Sequence, residues 1–67
     1  MTKFVRHTHG LEWTVHTAGF IRTPDMGDWC DEWFEGVYSN TFMSGSGTTV
    51  WFFQNRKEAI WFALTWT

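Results

Sequence analysis

Fourteen of the 67 side chains are aromatic: six Trp, seven Phe and one Tyr. This feature decides how a chain of this length can fold. At such a size only about 60 % of the unfolded surface is buried on folding. Small domains therefore lean on disulfides, metals or unusually large core side chains. A single cysteine excludes an internal disulfide, and no full set of zinc ligands stands at a standard spacing. Aromatic rings, each burying roughly 150–250 Å², are the remaining route to a core.

Charge and hydropathy narrow the class. The net charge is −2 and only 18 % of residues are charged. A wholly basic nucleic-acid binder looks different, and so does a disordered chain. The longest strongly apolar run, Ala59 to Leu64, is far short of the roughly 20 residues of a membrane span, so no membrane is expected. The start, Met1-Thr2-Lys3-Phe4-Val5-Arg6, lacks the apolar h-region of a signal peptide. A lone Cys and no export signal favour a reducing cytoplasm. Neither an internal repeat nor a low-complexity tract divides the chain. Ser44-Gly45-Ser46-Gly47 is too short for an interdomain linker, so residues 1–67 form one small domain.

Patterning supplies the elements. Residues 1–10 are either frayed or an extra edge strand. Over 11–17, Leu11, Trp13, Val15 and Thr17 alternate with Glu12, Thr14 and His16, as a half-buried strand requires. Thr23 is placed to cap a helix, and Pro24 suits its first position. Met26, Trp29, Cys30, Trp33 and Phe34 then follow the spacing of one helix face. Gly36 suits the left-handed conformation that stops a helix. The spacing predicts a helix over 24–35, with Gly27 a weak point in its first turn.

Residues 37–43 suit a strand, and 44–47 a turn. Thr48-Thr49-Val50-Trp51-Phe52-Phe53 is β-branched and aromatic throughout, which fits a strand buried on both faces and paired as an antiparallel hairpin. Asn55 with Glu58 makes a box-like start to a second helix. Its expected inner stripe is Ala59, Ile60, Ala63 and Leu64. Trp61, Phe62 and Trp66 spread round the cylinder, so its last two turns are apolar over more than one face.

The expected fold is α+β: a small two-layer sandwich in the order β-α-β-β-α, an antiparallel sheet with two helices on one face. Trp13, Val15, Val50 and Phe52 are expected to pack against Trp29, Trp33, Ile60 and Leu64. A ferredoxin-like split is the nearest standard topology.

The segment from Val50 to Trp66, ending Phe62-Ala63-Leu64-Thr65-Trp66, resembles one found in small uncharacterised proteins of tailed bacteriophages. There an aromatic strand is followed by Asn or Asp, a short charged turn, Ala, and an ending like Phe-x-Leu-Thr-Trp. Trp29-Cys30-Asp31-Glu32 is similar to a mid-chain Trp-Cys element in some of them. Glu58 stands where Asp is commoner in that pattern. The resemblance implies a phage origin and expression inside a bacterial host, and it carries no catalytic residues over.

Five of the seven acidic residues lie on the first helix: Asp25, Asp28, Asp31, Glu32 and Glu35. Asp28, Asp31, Glu32 and Glu35 are linked by three- and four-residue steps and form one acidic stripe. The simpler reading is a solvated face opposite the core. The sharper one is a docking surface for a basic host protein. His7, His9 and His16 with Cys30 would supply four zinc ligands, but the absence of any standard spacing favours three plain surface histidines. Cys30 sits on the apolar stripe, where a thiol is an inert small hydrophobe. The helix carboxylates lie on a convex face without a pocket to tune them. Arg56 and Lys57 occupy the first turn of the second helix against the dipole preference, which suggests that they face something anionic. With Trp51 and Trp61 they could stack a single strand of nucleic acid, though two cations make a weak footprint.

No enzyme, metal or cofactor is expected. The reading is a non-enzymatic phage protein that binds a bacterial host protein in the host cytoplasm and inhibits or redirects it. Trp51, Trp61 and Trp66 are its contact residues, flanked by Arg56 and Lys57, with Asp28, Asp31, Glu32 and Glu35 steering a basic target. The alternatives are a structural homo-oligomer, such as a homo-dimer, and a small nucleic-acid-binding accessory protein.

Overall fold

The computed structural model describes residues 2–67. The chain runs β1 (Trp13–Ala18), α1 (Thr23–Trp33), β2 (Tyr38–Met43), β3 (Thr48–Phe53) and α2 (Arg56–Trp66). This is the expected β-α-β-β-α order. β3 lies between β1 and β2 and is antiparallel to both, giving the order β1-β3-β2. The β1-α1-β2 unit is thus split by β3, as in a ferredoxin-like half.

The register runs opposite to the expected one. Thr49, Trp51 and Phe53 are the buried positions of β3, and the rings of Trp51 and Phe53 meet Phe62 at 4.8 and 4.9 Å. Val50 and Phe52 lie on the other face and are half-buried. An apolar residue at every position from Val50 to Phe53 carries no alternation, so both faces qualify on the pattern alone. Larger rings take the helix side: Trp51 is 0 % exposed, and its indole N–H donates to Thr17 Oγ1 at 3.1 Å. Across the register, Val15 stands beside Trp51, and Trp13 beside Phe53 at the outer edge.

Both helices cover that one face. Met26, Cys30 and Phe34 from the α1 side meet Tyr38, Trp51, Phe53, Ala59 and Phe62 in a single core. α1 begins one residue early. Thr23 N–H already bonds to Phe20 C=O and Met26 N–H to Arg22 C=O, so the chain is wound before Thr23 and no side-chain cap forms. At the other end the helix stops at Trp33, and Phe34 is extended at φ −96°, ψ 147°. Phe34 thereby swings into the core, and Trp33, expected inside, is left 54 % exposed. Gly36 has no positive φ. What it supplies is room, because a Cβ there would stand 2.7 Å from Asn55 Nδ2 and 2.8 Å from Glu58 Oε1.

α2 is rotated from its expected orientation. Ala59 and Phe62 are buried, and Ala63 and Trp66 are half-buried. Ile60 and Leu64 are exposed at 47 % and 80 %. With apolar residues all round, volume chooses the inner face, and the Phe62 ring fills the space over Trp51 and Phe53 better than Ile60 would.

The N-terminal segment forms an edge. Phe4 makes a parallel bridge with Tyr38, Val5 N–H donates to Tyr38 C=O at 2.8 Å and Tyr38 N–H to Lys3 C=O at 3.2 Å. Asp31 clamps this segment: its Oδ1 accepts from Lys3 N–H at 2.8 Å and from the Tyr38 hydroxyl at 3.0 Å, while Lys3 Nζ donates to Asp31 C=O.

Candidate protein-docking surface

The core closes without Trp61. Its ring stands 5.3 Å from Trp29, 5.5 Å from Phe34 and 6.2 Å from Trp33, yet Trp61 stays 44 % exposed. Trp33 and Trp61 form a pair of half-open indoles along the α1–α2 seam, with Trp29 edge-on against Trp61. Leu64, one turn beyond Trp61, extends the apolar surface.

The acidic ridge lies beside this pair. On α1, Asp28 and Glu32 are one helical turn apart, on the row next to Trp29 and Trp33. Both are exposed, as are Asp25 and Glu35. Asp31 is half-buried and bound to the N-terminal segment, so it belongs to the fold rather than to the ridge. Glu58 is likewise spent inside the chain, accepting from Glu35 N–H at 2.8 Å and Gly36 N–H at 3.2 Å. The ridge carries no lysine or arginine of its own.

Three expected contact residues are placed differently. Trp51 is sealed in the core and presents no surface. Trp66 packs on that core with its ring 6.0 Å from Trp29, and the Arg22 guanidinium lies 4.8 Å over it. Arg56 is exposed but sits 5.9 Å over the Trp13 ring. A cation over an indole face is attracted to the ring quadrupole, which accounts for Arg56 in a first turn where the dipole disfavours it. Lys57 is exposed. The stacking surface for nucleic acid loses Trp51, and Arg56 is turned toward Trp13.

The reactive groups are dispersed. His7, His9 and His16 are exposed, the first two with rings 6.4 Å apart, while Cys30 is fully buried. Among the described residues no group of three or more His, Cys, Asp or Glu is gathered for a metal ion. Burial pushes the Cys30 thiol from 9.0 up to about 12, with the charges of Asp31 and Glu58 adding to it, so no thiolate is present at neutral pH. No helix among the described residues is long and apolar enough to cross a membrane.

Trp61, Asp28, Glu32 and Glu35 were legible as surface in the sequence. Trp33 was not, because it shares the helix face of Met26. Its signal lies in Phe34, a large ring beside a helix end, competing for the same space. Comparison with protein-family models, with curated proteins and with solved structures finds no match to this chain.

Proposed function

We propose that this chain is a non-enzymatic bacteriophage protein that binds a protein of the bacterial host, in the host cytoplasm, and inhibits or redirects it. The observation that carries this reading is the Trp33–Trp61 pair, two indoles held half open on a fold whose core is already filled by Trp51, Phe34, Phe53 and Phe62. Tryptophan is enriched among the residues that anchor protein interfaces. The Asp28–Glu32 ridge beside them suits a basic partner and speeds its encounter. The non-enzymatic reading draws on Cys30, the one thiol, being sealed away from solvent. The phage setting rests on the resemblance of Val50–Trp66 and Trp29–Glu32 to small phage proteins.

The test is affinity capture from bacterial lysate with the parent chain beside a Trp33→Ala/Trp61→Ala variant, at low and at normal salt. A host protein retained by the parent and released by the variant is the expected result. No retained protein, or equal retention by both, contradicts the reading. A structural homo-oligomer is the second reading, favoured by the outer edge of β1, which among the described residues pairs with no other strand.

A further inference from the structure

The two edges of the sheet are treated differently. The outer edge of β2 is covered by the chain's own N-terminal segment through Phe4 and Val5. β1, among the described residues, pairs only with β3. Its outer side therefore leaves backbone N–H and C=O groups without a strand partner, and such edges recruit further strands unless they are blocked. The usual blocks are missing: Trp13-Thr14-Val15-His16-Thr17-Ala18 contains no Pro, Lys, Arg, Asp or Glu. It is also the edge on which a last strand closes when a split β-α-β is extended to six elements.

Next to this edge, β1 and α2 border an open, mostly apolar groove of about 260 Å³ lined by Trp13, Val15, Ala59, Ile60 and Ala63 together with Thr14 and Arg56. Trp13 is 42 % exposed there. Edge and groove together call for a strand with apolar side chains on the helix side of the sheet.

We propose that a second copy of this chain supplies that strand: β1 pairs antiparallel with the partner's β1 about a two-fold axis normal to the sheet, joining two three-stranded sheets into one. The symmetry and the side-chain parity fit. With Val15 opposite the partner's Val15, Trp13 falls opposite the partner's Thr17, and Thr14 opposite the partner's His16. Each copy keeps its helices on the same side of the joined sheet. No formal charge meets a like charge along the strands. Arg56, seated over Trp13, falls toward opposite ends of the seam in the two copies. Trp13 and Ile60 of both copies flank the seam and close over the groove. This contact is separate from the Trp33–Trp61 pair, so each surface stands or falls alone.

Sedimentation of the full chain from low to high micromolar concentration, with amide hydrogen exchange at both ends of the range, tests the proposal. The expected result is a species of twice the single-chain mass, with β1 amides that gain protection of tenfold or more as it forms. Ile60→Glu, an exposed position, is expected to stay folded by circular dichroism and to sediment as a single chain. A parent that remains a monomer overturns the proposal. So does a dimer whose β1 amides exchange as in the monomer, or a folded Ile60→Glu variant that associates as strongly as the parent.

Discussion

Glu58 reaches across from α2 to hold Gly36: its Oε1 accepts the Gly36 N–H at 3.2 Å and would lie 2.8 Å from any Cβ placed there. The second oxygen takes the Glu35 N–H at 2.8 Å. One carboxylate thus satisfies two backbone donors just beyond the end of α1 and fixes how the chain turns into β2. Gly36→Ala is expected to cost about 1–3 kcal/mol, the usual penalty of overpacking a tight site. Urea unfolding should show a lower midpoint at an unchanged slope.

Asp31 does for the N-terminal segment what Glu58 does for the α1–β2 turn. Asp31→Ala removes the side-chain acceptor of Lys3 N–H and leaves the Tyr38 hydroxyl only Gly27 C=O, at 3.1 Å, to donate to. Hydrogen bonds to a charged group are worth about 1.5–3 kcal/mol. The expected outcome is a stability loss of that order and faster amide exchange at Lys3 and Val5. Exchange no faster than in the parent would contradict the clamp.

Trp51 and Thr17 are joined by the one hydrogen bond that the buried indole makes. Thr17→Val keeps the shape and leaves the N–H unpaired in the core, at a cost of about 1–3 kcal/mol. Trp51→Ala is expected to cost about 3–5 kcal/mol, a large share of the total stability of a small domain. Denaturant titration of both variants measures the difference.

Alkaline pH should weaken the fold. Burial pushes the Cys30 thiol from 9.0 up to about 12 and pushes the Tyr38 phenol up as well, the latter helped by the hydrogen bond and charge of Asp31. Above pH 9 the unfolded chain gives up protons that the folded chain keeps. The folded state then binds more protons, so stability falls as pH rises. The contribution is complete below about 9 and is lost through the window up to about 12. A series of urea titrations across that window should show the decline. At neutral pH a thiol reagent should modify Cys30 only on unfolding.

How much of the fold is legible in the sequence depends on particular residues. α1 was legible because Met26, Cys30 and the acidic residues separate cleanly by face. β1 was legible because Val15 and Thr17 alternate with Thr14 and His16. β3 and α2 were not, since Trp51 and Phe52, or Ile60 and Phe62, are equally apolar neighbours, and only packing volume decides between them. Asp31 looked like one more exposed carboxylate because its partners, Lys3 and Tyr38, are 28 and 7 residues away in sequence. Gly36 reads in the sequence as the left-handed residue that stops α1 after residue 35, but α1 ends at Trp33 and Gly36 instead leaves the space that Glu58 occupies.

In the proposed function the Trp33–Trp61 pair anchors a protein partner. Titration of the captured host protein against the parent chain and against a folded Trp61→Ala variant tests it most directly. Loss of an anchor residue of this kind costs about 2 kcal/mol or more, so affinity should fall by about thirtyfold. An affinity unchanged by Trp61→Ala would contradict the claim.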